Sequence, residues 1–394
     1  MNKFVSFIAI FCLFYSCSNS TVSESDNNLI TINQDSINKL AKEINAEEKS
    51  KLIDIVFKQR VKSGFNGAIL VAQRNHVIYK NAAGFSNFQT KDTLSVNSQF
   101  QLASASKPFT ATAILILRDK GLLSLSDTLQ KHLPNFPYQG ITIKDLLTHR
   151  SGLSNYVYFC EPYCDDKKCY NGKMFSNESV LDVMVNANPG LYARPNKKFE
   201  YCNTNYALLA LIIEKISKMS YAEFLKQAIF DPLQMKDTWV RGAEIDWKKK
   251  NLTLGHNGYG KPEEDDFADA VVGDKGIYST VDDMFKWNKS FYSNKILKSE
   301  SIEEAFTGYS NEYKGKRNYG LGWRLIDDGK NPKIVYHNGW WHGYNTLFYR
   351  RLSDKTCVIV LSNKLNRGVY HIQDILAILD GNSEDDSGNL DENP

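Results

Sequence analysis

Three short stretches hold the residues that could do chemistry: Ser104-Ala-Ser-Lys107, Tyr201-Cys-Asn203 and His337-Asn-Gly339. A serine and a lysine three apart on a helix share one face, so an amine lies within reach of a hydroxyl it could deprotonate. An ordinary lysine, of pKa ~10.4, keeps its proton at neutral pH. Lys107 therefore needs apolar burial, or a neighbouring cation or phenol, to serve as a base. Phe109, Ala111, Ala113, Ile114, Ile116 and Leu117 supply the apolar surroundings and predict half-burial of Lys107. The bland alternative is that Ser104 only caps a helix. Spacing alone does not choose, because Ser36-Ile-Asn-Lys39 repeats the pattern in a polar stretch. In an extended segment Tyr201 and Asn203 would point the same way, turning a phenol and a carboxamide to one cleft. Tyr292-Ser-Asn294 and Tyr309-Ser-Asn311 share that spacing, so context must decide. His337 ends a predicted strand, Gly339 admits a close backbone, and GWWHGYN, with Trp340, reads as an aromatic pocket wall.

These stretches need elements to hold them. Helical spacing over 47–63 precedes two strands, 68–73 and 77–82, joined by a polar turn. The middle of the chain is mostly helical. Helices are predicted over 105–120 (closed by Gly121), 141–153, 206–218, the YAEFLKQAIFDPL stretch, and 278–293 with Thr280 as N-cap. Strands return at 333–337, 345–352 and 356–363, and a helix, YHIQDILAILDG, follows. The economical assembly is α+β: one antiparallel sheet built from both chain ends, flanked by helices, with a mostly helical region inserted. The sheet lobe takes about 47–95 and 325–381, the helical lobe about 96–324. A cleft between them is where a site is expected.

The chain of 394 residues carries a net charge of +3 from 48 basic and 45 acidic side chains. That balance leaves no basic stripe, so no nucleic-acid partner is expected. Residues 1–17, MNKFVSFIAIFCLFYSC, have one lysine and then an apolar run too short for a comfortable span, which reads as an export signal. The ending FYSC resembles a lipoprotein box with Cys17 as the lipidated residue, giving a membrane anchor at the cell envelope; an ordinary cleaved signal is the alternative. Residues 18–46 read as a polar tether, 47–381 as the catalytic domain and 382–394 as an acidic disordered tail. Of seven cysteines, Cys160, Cys164 and Cys169 crowd one loop, where an oxidising compartment predicts one disulfide. Cys202 and Cys357 are expected to be free. No histidine adjoins the three-cysteine loop and its spacing fits no common zinc site, so no metal is expected.

With the three stretches in order, the chain resembles the serine hydrolases that include class C β-lactamases, D-alanyl-D-alanine carboxypeptidases, D-aminopeptidases and related esterases. Their pattern is S-x-x-K, Y-x-N, then K/H-x-G. The likeness extends through FNGAILVAQ, KPFTATAILILRDKGLLSLSDTL, DLLTHRSGLSNY, FEYCNTNYALLALIIE, GDKGIYSTVDDMFKW and YGLGW, covering about residues 49–380. The resemblance implies a β-lactamase/transpeptidase-like fold. It implies Ser104 as acylated nucleophile, Lys107 and Tyr201 sharing proton transfer, and Asn203 orienting the lysine and binding a substrate amide. His337 and Gly339 would line the third side, and the N–H groups of Ser104 and Trp340 would form an oxyanion hole. No cofactor is implied. His337 and Asn338 stand where class C enzymes carry lysine and threonine, which points to peptidase, amidase or esterase chemistry on a small amide, D-amino-acid peptide or ester. A true β-lactamase and a non-catalytic sensor on the same fold are the alternatives. Cys202 is expected to point away from the cleft, and the 156–175 loop reads as an insertion beside it.

Overall fold

The computed structural model describes residues 36, 38–164, 169–242, 251–312, 315–381 and 390. The expected leader with Cys17, the polar segment up to residue 35 and, save Leu390, the acidic tail lie outside the described residues. Residues 38–43 are helical within a first unit, Met1–Asn45, and both Ser36 and Lys39 are exposed there. This copy of the Ser-x-x-Lys spacing has no enclosure to alter its chemistry. The second unit runs from Ala46 to Pro394, and no helix among the described residues is long and apolar enough to cross a membrane.

The second unit is organised by a seven-stranded antiparallel sheet. Its strands are β1 (Gly67–Gln73), β2 (His76–Ala83), β3 (Arg317–Tyr319), β4 (Arg324–Ile326), β5 (Ile334–Trp341), β6 (Tyr344–Arg351) and β7 (Thr356–Ser362). Their order is β3-β4-β5-β6-β7-β1-β2, so strands from both chain ends pair in the middle, with Gly67 opposite Ser362 and Ala72 opposite Cys357. β1, GAILVAQ, is buried at every position, as an apolar run covered on both faces should be. Helix α1 (Ala46–Lys62) packs on β2 and on the last helix, α5 (Gln373–Asp380), whereas α4 (Val281–Ser290) packs on β1 and β7. Thr280 caps α4 by accepting the Asp283 N–H, as its sequence predicts.

The helical region centres on α2 (Lys107–Asp119) packed against α3 (Asn203–Ser217). It also holds a small three-stranded sheet of Phe100–Gln101, Ile277–Ser279 and Trp239–Val240. The helix expected over 141–153 is only Ile143–Leu147; Thr142 and Asp145 close a capping box at its start. Strands β3 and β4 bring residues 317–324, assigned by the sequence to the helical lobe, into the main sheet. At three residues each, they are too short to show an alternating pattern.

The β6–β7 turn is closed by Arg351, whose Nη2 lies 2.9 Å from Asp354 Oδ2 and 2.5 Å from Asp380 Oδ1. Burial raises the Asp354 carboxyl, but hydrogen bonds from Arg351, Gln73 and Thr356 outweigh it and hold the group down at about 2. A carboxylate depressed in the fold adds stability above its ordinary value of ~3.9 and loses it as pH falls through the folded value. Asp354→Asn should thus unfold at lower urea than wild type near neutral pH. Its stability should also change less between about pH 4 and about pH 2. Parallel urea-midpoint curves for the two proteins across that window would contradict this.

Candidate active site

Ser104 lies in a 3-10 turn, Ala103–Ser106, that runs directly into α2. The α-helix therefore starts at Lys107 rather than 105, and Ser104 is one turn outside it. Its backbone carbonyl accepts the Lys107 N–H. Ala103, just before it, has φ of 49°, a left-handed conformation that costs a non-glycine residue about 1 kcal/mol or more. That bend holds Ser104 half-exposed over the cleft, while Lys107 is completely buried, not half-buried as expected.

Lys107 Nζ lies 2.9 Å from Ser104 Oγ, 2.9 Å from Asn203 Oδ1 and 3.0 Å from the Asp274 carbonyl oxygen. Two of these three partners, an amide oxygen and a peptide carbonyl, can only accept. A neutral amine has two N–H donors and one lone pair. In that form, donors given to Asn203 and Asp274 would leave the lone pair towards the serine hydroxyl, and the geometry permits proton transfer between the two.

Tyr201 and Asn203 do come together here, but not along one strand. Cys202 is the extended residue before α3, and Asn203 is that helix's first residue. Cys202 points away, its Sγ 3.4 Å from the Ser154 carbonyl oxygen in the core, as alternation predicts. Tyr201 meets Lys107 through its ring, 4.8 Å from centroid to Nζ. No hydrogen bond to its hydroxyl is present among the described residues, so that group remains available to a bound molecule. His149, from the HRSG stretch, packs against Tyr201 with ring centroids 4.2 Å apart and planes tilted by 35°. Its Nδ1 accepts from the Cys202 N–H and faces Asn205 Nδ2, both at 3.1 Å, which puts the ring proton on Nε2. Burial, then the Lys107 charge, pushes His149 well below its ordinary value, so it stays neutral while bracing the 201–203 segment.

His337 is not at a strand end. β5 continues through Trp341, and the His337 ring is wholly buried behind the cleft wall, Nε2 facing the Tyr319 hydroxyl at 3.2 Å and Nδ1 the Asn338 carbonyl at 2.7 Å. Burial, then Arg324 and Lys107, depresses its protonation strongly. His337 therefore presents neither a cation nor a hydrogen bond to the cleft, contrary to its expected place on the third side; the next residue, Asn338, lines the cleft in its stead. Gly339 does permit close approach. A Cβ there would sit 2.3 Å from the Leu102 carbonyl oxygen and 3.0 Å from the Ser104 nitrogen. Trp340 is 61% exposed and borders the cleft, as its aromatic run suggested.

The cleft of about 490 Å³ is lined by Ser104, Tyr201, Asn203, Gly339 and Trp340 together with groups that no motif flagged: Glu200, Arg324, Asn345, Arg367 and Tyr370. Arg324, on β4, lies 5.2 Å over the Tyr201 ring. Its strand was not recognised, so nothing in the sequence placed a guanidinium here. The insertion does contribute, through Val157 and Tyr158. Cys160 in that loop is a free, buried thiol, and Cys164 Sγ lies 3.3 Å from its carbonyl oxygen. The Cys169 side chain lies outside the described residues, so only Cys160 is decided against the expected disulfide. Cys202 and Cys357 are free, as expected.

Fold and site together define a serine-hydrolase scaffold, and the chain belongs to the beta-lactamase family, whose model matches residues 53–383. It is 35% identical over 320 residues to a penicillin-binding protein of Bacillus subtilis (strain 168), covering 77% of this chain and 69% of the relative. Among solved structures it is similar to the octameric penicillin-binding protein homologue from Pyrococcus abyssi. There the TM-score is 0.71 at 27% identity, over 84% of this chain and 77% of that one. A penicillin-binding protein from Bacillus halodurans shares the fold, with a TM-score of 0.72 at 23% identity over 84% of this chain and 98% of that one.

Proposed function

We propose that the protein is a serine hydrolase that works through an acyl-enzyme on Ser104, with a small amide, D-amino-acid peptide or ester as substrate. The observation that carries this reading is the Lys107 amine 2.9 Å from Ser104 Oγ with its other two contacts restricted to acceptors. Lys107 takes the serine proton as Oγ attacks the carbonyl. Tyr201, whose hydroxyl has no hydrogen bond among the described residues, gives its phenolic proton to the leaving group and regains one from the Lys107 ammonium, so that the serine proton ends on the leaving group. The N–H groups of Ser104 and Trp340 receive the developing oxyanion, a donor of that kind contributing ~3 kcal/mol. Water then releases the acyl group. Asn203 orients the lysine and reaches the substrate amide.

The cleft's arginines supply what His337 does not. Among the described lining residues Arg324 and Arg367 face one acid, Glu200, so a substrate carboxylate would find cations there. This favours a peptide or amino-acid derivative over a neutral ester. The export signal of residues 1–17, with Cys17 as lipidated residue, supports a place in the cell envelope facing cell-wall material. One comparison tests the substrate: muropeptides ending in D-alanyl-D-alanine, a small activated ester and a chromogenic cephalosporin, each offered at equal concentration. Released D-alanine and ester turnover, with slow cephalosporin turnover, is expected. Good ester turnover without D-alanine would reject the cell-wall peptide, and fast cephalosporin opening would make the protein a β-lactamase.

A further inference from the structure

Beneath the cleft lies a charged cluster that the proposed reaction leaves unused. Lys275, Asp274 and Tyr156 are all buried, and none of them lines the cleft. Lys275 Nζ donates to the Tyr156 hydroxyl at 2.5 Å and to the Val271 carbonyl at 3.1 Å, and it lies 3.5 Å from Asp274 Oδ2. The Tyr156 hydroxyl in turn donates to Asp274 Oδ2 at 3.2 Å. A lysine enclosed this fully is costly to keep charged, and burial lowers its proton affinity against the pull of Asp274, Asp269 and Asp266.

Two features give this cluster a consequence. The Asp274 backbone carbonyl is one of the two acceptors that aim Lys107 at Ser104. The peptide that carries it lies between Gly273, φ 101°, and Gly276, φ 89°, conformations that glycine adopts freely. Backbone preference alone would leave that peptide poorly oriented. Its anchors are the Asp274 side chain, held through Tyr156 by Lys275, and the Gly273 carbonyl, held by Thr110 Oγ1 at 2.6 Å. Lys275 also lies 4.7 Å over the ring of Trp341, which borders the cleft and donates its indole N–H to Asp269.

We propose that Lys275 is a positioning residue for the Ser104–Lys107 pair: through Tyr156 and the Asp274 carboxylate it fixes the carbonyl that orients Lys107, and through Trp341 it ties that carbonyl to the cleft wall. The proposal rests on the serine-hydrolase reading above. The charged and titratable groups around Lys275 are Asp274, Asp269, Asp266, Tyr156 and Lys107, with Arg241 and His342 beyond Asp269. Removing the Lys275 charge deletes a cation near Lys107 and leaves the Asp274 carboxylate uncompensated. Both changes hold the proton on the Ser104–Lys107 pair more tightly.

The test is the rate at which a serine-directed fluorophosphonate adds to Ser104, followed by intact mass from about pH 5 to about pH 10. Lys275→Met should label about 10-fold slower at neutral pH, with its pH midpoint displaced upward. The charge-balanced pair Lys275→Met with Asp274→Asn should stay slow but return the midpoint toward wild type. A purely structural lysine would lower the rate without moving the midpoint. A folded Lys275→Met with wild-type rate and midpoint would overturn the proposal. Should that variant fail to fold, the charge-balanced pair decides, and labelling at the wild-type rate would overturn it. Hydrogen exchange of residues 271–277 separates the two readings. If wild type forms no adduct, the hydrolase reading falls, and unchanged exchange in Lys275→Met would then reject the positioning role as well.

Discussion

Ser104→Ala will gain no mass with a serine-directed fluorophosphonate, whereas the wild-type chain will gain one adduct that maps to Ser104. The reasoning is local. The chain contains many serines, but an unactivated hydroxyl reacts slowly with this reagent. Ser104 alone among the described serines has a lysine amine at 2.9 Å whose remaining contacts are fixed acceptors. Turnover of whichever substrate is found should fall by about 10⁴-fold or more, because the acyl bond has no other atom on which to form. Lys107→Met should come close to the same loss, since nucleophile and base act as a unit. Adducts spread over several serines, or persistent labelling of the alanine variant, would move the nucleophile elsewhere. A folded wild type that stays unlabelled would leave a binding protein on this scaffold, with Ser104 reduced to a polar turn residue.

The largest expected effect on stability comes from Arg350. It projects from β6, is completely buried and donates from Nε to Asn288 Oδ1 at 2.8 Å. Its guanidinium carbon is 4.5 Å from the Phe291 ring centroid, 5.3 Å from that of Phe306 and 5.7 Å from that of Trp323. Among the described residues neither terminal nitrogen has a well-aligned hydrogen bond, and the Tyr292 side chain, its ring 5.2 Å away, is the polar group that faces the charge. Ring faces replace water around the charge, a contact worth about 2 kcal/mol when desolvated. Arg350→Ala removes that contact and leaves a void among large rings, for a loss of about 3–5 kcal/mol, as in other large-to-small core changes. Arg350→Met keeps most of the volume and removes a charge that is expensive to bury, so it should lose much less. Urea unfolding reads both. Equal losses would show that charge rather than volume holds this region together.

The contrast between what was legible in the chain and what was not follows from the range of each signal. β1, β6 and β7 were legible because each is a continuous apolar or alternating run of at least seven residues. The pairing of Ser104 with Lys107 was legible because both lie within one turn. Arg324 was not, since β4 is three residues long and Arg324 reaches the site only through the sheet order. His337 was misplaced for a related reason. A motif names residue types in order, but the length of the strand decides which side chain faces the cleft, and β5 runs four residues past the expected end. Asn203 was placed correctly in space on a mistaken backbone, because a residue that begins a helix can face the same way as one that ends a strand. The Asp274 carbonyl left no trace at all, being a backbone atom.

The pairing of β1 with β7 also bears on how the molecule is made. β1 belongs to the first strands synthesised, and the partner that covers one of its edges is the last. Until β7 has been produced, GAILVAQ carries an apolar strand edge open to any other chain. Contacts of such long range form slowly, and intermediates waiting for them tend to aggregate. The sheet can therefore close only after nearly the whole chain is free.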